Sequence, residues 1–203
     1  IKLRKRENSR KIEYKYIGIL FRTFIIIEVE NEIFLIDQHA AHERVLYEQI
    51  KENYKNHIQS NSQLMLIPEV VTLTNREMEF VKNNINLFID IGFVIEVFGE
   101  NTIKINGIPD LEYRSKTKKI FLDVLDEVIS DGRTQIKDVE ERFIATVACK
   151  AAIKANMDLT RQEVDELIQN LLNLNNPYTC PHGRPTTIKI SQDFIENKLG
   201  VEK

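Results

Sequence analysis

Asp37-Gln38-His39-Ala40-Ala41-His42-Glu43 sets two carboxylates and an imidazole where a β-type run gives way to a helical pattern. Ahead of it, Phe24–Ile36 holds two β-branched runs split by the polar turn Glu30-Asn31-Glu32, which predicts a hairpin. Behind it, Val45, Leu46, Tyr47 and Ile50 supply the apolar side of a helix. Asp37 therefore falls at a strand end, and His39 and Glu43, four apart, aim the same way from the first helical turns. Taken alone, such a pair reads as a plain helix-surface pair. Two further segments change the reading. Ala148-Cys149-Lys150 lies near the end of a helix predicted from about Val139 to Asn156, and Cys180-Pro181-His182-Gly183-Arg184-Pro185 follows the turn Asn175-Asn176-Pro177. Cys180 and His182, two apart, suit a loop that offers a thiolate and an imidazole to one cation. Each Cys by itself reads more simply as a small core residue. Together the three segments offer Asp, His, Glu, Cys, Cys and His, the donors zinc accepts, and enough for two ions that share a bridging group.

Asp37-Gln38-His39-Ala40, with Glu43 and Glu48, resembles the DQHA-x2-E-x4-E motif of the endonuclease-type MutL mismatch-repair family. Ala148-Cys149-Lys150 is similar to that family's ACR motif, and Cys180–Pro185 to its CPHGRP motif, and the likeness runs from about Tyr16 to Leu199. Lys150 departs from the pattern; it keeps the charge of Arg and loses the planar fork. The resemblance implies a C-terminal endonuclease and dimerisation domain: a homodimer that nicks double-stranded DNA in concert with MutS, its N-terminal ATPase region lying outside this stretch. It implies Asp37, His39 and Glu43 as catalytic residues, and as metal ligands these three with Cys149, Cys180 and His182. Gln38, Glu48, Lys150 and Arg184 are supporting residues.

Thiolate donors favour zinc in a structural or regulatory place, beside manganese or magnesium for nicking. Glu43 is the first candidate to bridge two ions. Glu48 stands about 140° round the helix from it and is better placed to orient a neighbour. Arg184 has two readings: it contacts a phosphate, or it pins the loop by pairing with Glu48 or another acid. His42 and His57 lie outside the motif and read as surface residues. Finally, Gln63-Leu64-Met65-Leu66-Ile67-Pro68 resembles the Q-x2-L-x-P peptide by which MutL proteins dock on the replication sliding clamp, with Gln63, Leu66 and Pro68 as its anchors. Its alternative is insertion of Leu64 and Leu66 into the core.

The elements that must position these groups read as a mixed α+β chain in two lobes. Residues 13–62 and 137–203 are expected to form the metal-bearing dimerisation lobe, 63–136 an inserted external, regulatory lobe, and 1–12 a linker remnant. Thr74-Asn75-Arg76-Glu77 and Thr160-Arg161-Gln162-Glu163 are capping boxes. The first opens a helix that Gly92 stops; the second opens one carrying Val164, Leu167, Ile168, Leu171 and Leu172. Between them come a hairpin, 93–98 with 102–108, and a helix over 116–130; a strand at 186–190 and a last helix after Ser191 follow.

Composition narrows the function further. With 203 residues and 42% hydrophobic side chains there is ample core material. No Walker motif and no His-Glu-x-x-His stretch occurs, so neither an ATPase nor a zinc peptidase is indicated. Two distant cysteines argue for a reducing cytosol, and no apolar run reaches the ~20 residues a membrane span needs. A cytoplasmic, nucleoid-associated protein is the expectation. Seven basic residues against Glu7 and Glu13 give residues 1–15 a net of +5, leaving −8 on the remainder of a chain whose total is −3. Such an acidic body grips phosphates poorly, so weak DNA binding by this domain alone follows.

Overall fold

The elements run β1 (Lys15–Leu20), β2 (Phe24–Val29), β3 (Glu32–Asp37), α1 (Gln38–Lys55), β4 (Ser62–Thr72), α2 (Asn75–Asn83), α3 (Ile85–Ile91), β5 (Val94–Gly99), β6 (Thr102–Pro109), α4 (Thr117–Ser130), α5 (Ile136–Ala151), α6 (Arg161–Leu172), β7 (Thr187–Ser191) and α7 (Gln192–Leu199). They come from a computed structural model that describes residues 11–56, 62–109, 117–130, 136–152 and 157–201. The expected linker residues 1–10, Asn156 and His57 lie outside the described residues. Two small sheets and the helices make an α+β chain, divided into two compact units: 1–46 with 152–203, and 47–151.

The first unit is built on the antiparallel sheet β1-β2-β3-β7. Alternation along β2 and β3 sends Ile25, Ile27, Phe34 and Ile36 into the core. The opposite row joins Ile26, Leu35 and Ile188 across three strands, and beside it Ile33 faces Ile190. This outward row is apolar and open, with Ile188 56% exposed. α1 and α6 add Ala40, Ala41, Val45, Val164, Leu167, Ile168 and Leu171 to the buried set. The Thr160 capping box is formed in full, Thr160 Oγ1 accepting from Glu163 N–H and the Glu163 carboxylate accepting from Thr160 N–H.

β1 was not anticipated, and its turn explains why. Thr23 N–H donates to Leu20 O at 3.0 Å across Phe21 and Arg22, whose φ values are 50° and 53°. Two consecutive left-handed residues are the hairpin geometry that sequence usually marks with Asn-Gly. Here Phe-Arg carries it, and Arg22 is held by Asp158 through two bonds of 3.0 and 2.7 Å.

The second unit carries the sheet β4-β6-β5 with α2–α5 and the later half of α1. Phe88, Phe93, Phe121 and Phe143 form its aromatic centre, with ring centroids 4.7 to 6.1 Å apart. Edge-to-face pairs of this kind add about 1 kcal/mol each beyond burial. The helix expected from the Thr74 capping box to Gly92 is broken in two. Asn84 leaves helical geometry at φ −123°; its N–H closes the last turn of α2 on Phe80 O at 3.1 Å and Val81 O at 3.3 Å, and its side-chain amide also donates to Phe80 O at 2.8 Å. Gly92 does end α3, in left-handed geometry.

Gly107 lets β4 and β6 approach closely: a Cβ there would meet the Gln63 carbonyl at 3.1 Å and a Val94 methyl at 3.0 Å. Just beyond, the pairing jumps from Leu64↔Gly107 to Glu69↔Ile105, five steps on β4 against two on β6. Met65–Pro68 thus bulge out of the ladder.

Candidate metal centre

Strand β3 ends at Asp37, and Asp37 itself starts the helix. Its Oδ1 accepts from His39 N–H at 2.9 Å and Ala40 N–H at 3.0 Å, capping α1. Gln38, fully buried, ties this junction down. Its N–H donates to Thr23 O at 3.0 Å and its side-chain amide to Met157 O at 2.9 Å. With the junction fixed, the first turns of α1 present His39 and Glu43 one above the other, Nε2 lying 3.2 Å from Oε1.

The Cys180–Pro185 loop approaches the same carboxylate from the other side. Gly183 N–H donates to Cys180 O at 2.9 Å, closing a turn with Pro181 second and Gly183, at φ 84°, fourth. Cys180 N–H donates to Arg184 O at 2.8 Å and closes the loop's neck. His182 Nδ1 then lies 4.0 Å, and Arg184 Nη2 3.2 Å, from Glu43 Oε2. The Cys180 side chain first, and the Glu43 charge second, push the Arg184 pKa above its ordinary value. Cys180 is 2% exposed and Glu43 0%.

A wholly buried carboxylate is costly unless positive or hydrogen-bonding groups surround it. Here His39, His182 and Arg184 converge on it. Carboxylate, imidazoles and a buried thiol are a donor set that suits zinc, so the residues fit a divalent cation.

Of the residues singled out from sequence, the first unit brings together His39, Glu43, His182 and Arg184, with Cys180 beside Arg184. Asp37 stands at the helix start with one oxygen committed to the cap. Arg184 pairs with Glu43, the second of its two readings. Cys149 and Lys150 close α5 in the second unit, where Lys150 Nζ lies 3.6 Å from Glu127; Glu48, half-buried, is on the part of α1 that belongs there too. His42 corrects the sequence reading: it is 4% exposed and belongs to the buried side of α1.

One positioning residue was missed. Thr186, buried, donates its hydroxyl to Pro177 O and its N–H to Tyr178 O at 3.0 Å, while its carbonyl accepts from Asp37 N–H at 2.9 Å. It fastens the Cys180 loop to the end of β3. A small hydroxyl residue just before a strand carries no signal that separates this role from an ordinary turn.

In the second unit, Gln63, Leu66 and Pro68 lie on β4, the last two within its bulge. Leu66 is 103% exposed and Leu64 and Ile67 are exposed as well, so the core-insertion alternative fails.

An α+β chain whose strand-to-helix DQHA junction faces a CPHGRP loop across one buried carboxylate has the make-up of a MutL-type C-terminal domain. The family model described as "MutL C terminal dimerisation domain" matches residues 17–159. The chain belongs to that family. Among similar curated proteins, the "DNA mismatch repair protein MutL" of Clostridium botulinum (strain Kyoto / Type A2) is 40% identical over 95% of this chain. The proteins of the same name from Clostridium acetobutylicum and Agathobacter rectalis are 39% and 40% identical over 92% and 94% of it. The matched stretch spans only 29%, 30% and 29% of these three relatives, so the chain covers less than a third of their length.

Proposed function

We propose that this chain is the metal-dependent endonuclease domain of a mismatch-repair protein, nicking double-stranded DNA as a homodimer. The observation that carries the reading is the solvent-free Glu43 carboxylate with His39, His182 and Arg184 turned toward it. Glu43 and His182, with His39, Cys180 and the free oxygen of Asp37, are the proposed ligands within the first unit; zinc is the structural or regulatory ion, and manganese or magnesium the one for nicking. When bound, such ions supply an activated water and neutralise charge on the phosphoryl oxygens. Asp37 and Gln38 hold the start of α1 rigid, Thr186 sets the height of the loop, and Arg184 orients the carboxylate.

The homodimer is proposed to form through the open apolar row Ile26, Leu35 and Ile188 with Ile33 and Ile190. The protruding Leu66 of the Gln63–Pro68 segment, with Gln63 and Pro68, is proposed to dock on the sliding clamp. That contact would bring an acidic domain with weak intrinsic DNA affinity onto its substrate. MutS, an N-terminal ATPase region and a cytoplasmic, nucleoid-associated setting complete the reading. Among the described residues, no helix is long and apolar enough to cross a membrane.

A second reading, a non-catalytic dimerisation platform with structural zinc, draws on the engagement of Asp37 Oδ1 in helix capping. Nicking of supercoiled plasmid in manganese, with and without clamp, separates the two. Loss of nicking in Glu43→Lys and Asp37→Asn, with the fold retained, supports the nuclease; a parent that never nicks in either condition supports the platform.

A further inference from the structure

We propose that Arg184 is the site's built-in counter-cation: its guanidinium competes with a divalent cation for the Glu43 carboxylate, and once displaced it turns to solvent, where a phosphate oxygen can take it. The inference rests on the metal reading above and adds a coupling between metal loading and phosphate binding.

Arg184 Nη2 sits 3.2 Å from Glu43 Oε2, the same oxygen that His182 Nδ1 faces at 4.0 Å, while His39 Nε2 holds Oε1 at 3.2 Å. One carboxylate oxygen is thus shared between a candidate ligand and a permanent positive charge. The guanidinium cannot discharge itself, because its pKa lies far above neutrality. Two cations on one carboxylate oxygen repel. Binding of a divalent cation at Glu43 and His182 therefore favours an Arg184 turned away.

Turning away is open to it. The Arg184 side chain is 56% exposed although its partner Glu43 is 0% exposed. It sits next to Gly183, whose backbone at φ 84° has no neighbouring atom within 4 Å of a would-be Cβ. A guanidinium carries five donors in a flat fork suited to phosphate oxygens, and most of those donors are free to point outward. The guanidinium paired with Glu43 thereby becomes a phosphate anchor once a divalent cation is bound.

Zinc affinity of the dimer without DNA, read by competition with a chromogenic chelator, tests this directly. Arg184→Met removes the competitor, and the expected result is zinc binding at least tenfold tighter than in the parent, with Arg184→Lys in between. Equal or weaker binding in Arg184→Met overturns the inference and leaves the metal reading standing. A parent that binds no zinc overturns both. Should Arg184→Met fail to fold, the parent alone still decides, through nitrogen-15 exchange at the Arg184 guanidinium. Rotation restricted without zinc and fast at zinc saturation is expected; rotation that stays restricted refutes the displacement.

Discussion

Leu35→Glu in the middle of β3 puts a carboxylate at the centre of the proposed dimer face. Leu35 stands opposite Ile26 on one side and Ile188 on the other, pointing away from the core row of Ile25, Ile27, Phe34 and Ile36. It is half-buried within the protomer, so at most about a third of the ~2 kcal/mol that full burial of a Leu is worth remains to be gained at an interface, or ~0.6 kcal/mol. A two-fold axis counts every residue twice, which makes ~1 kcal/mol per dimer. Two buried, unpaired carboxylates add at least ~1 kcal/mol each. The sum, ~3 kcal/mol, weakens the dimer by about a hundredfold. Sedimentation equilibrium over a range of concentrations reads the dissociation constant, and far-ultraviolet circular dichroism checks that the monomer is folded. A folded Leu35→Glu protein whose dimer constant stays within tenfold of the parent's refutes the assignment of this face.

Other outcomes follow from the same geometry. Leu66→Ala with Gln63→Ala should abolish clamp binding in a pull-down or calorimetric titration while the melting temperature stays put, because Leu66 contributes no burial to the fold. Thr160→Ala should cost about 1 kcal/mol of stability in a denaturant titration at neutral pH. The Thr160 backbone N–H first, and its hydroxyl next, hold the Glu163 carboxyl below its ordinary pKa. That contribution is present above the unfolded carboxylate pKa and fades as pH falls through the folded one, so the parent–variant gap should narrow in acid. Burial, and then the hydrogen bond to Glu140, push the Tyr54 hydroxyl up to about 12. Its protonated form favours the folded state below the unfolded value of 10.0, and the advantage is lost as pH climbs toward 12. Tyr54→Phe should therefore flatten the alkaline loss of stability between those values, and a tyrosinate absorbance step near 10 in the parent-minus-variant difference would contradict the burial.

The sequence was informative where local chemistry is self-sufficient. Both capping boxes act within four residues, and both stand in the structure as read. The hairpin of β2 and β3 was visible because β-branched runs flank a polar turn. Where long-range packing decides, the sequence was silent. β1 went unseen because Phe21 and Arg22 make a turn that neither residue type advertises, the geometry being secured by Asp158 far along the chain. His42 reads as polar yet is buried on the core side of α1. The split at Asn84 replaces one long helix with two, at a residue whose φ of −123° leaves the helical region while its N–H and side-chain amide both donate to Phe80 O. At the site, residue types and spacing named the groups. That Arg184 chooses Glu43, and that Thr186 anchors the loop, depended on a fold bringing residue 184 within 3.2 Å of residue 43.

Anomalous scattering at the zinc edge, on crystals of the protein grown with zinc, reaches the central claim most directly. An anomalous peak is expected within bonding distance of the Glu43 carboxylate and a His182 ring nitrogen, with the Cys180 thiolate beside it. Zinc bound only at surface positions remote from Glu43, in crystals soaked to saturation, contradicts it.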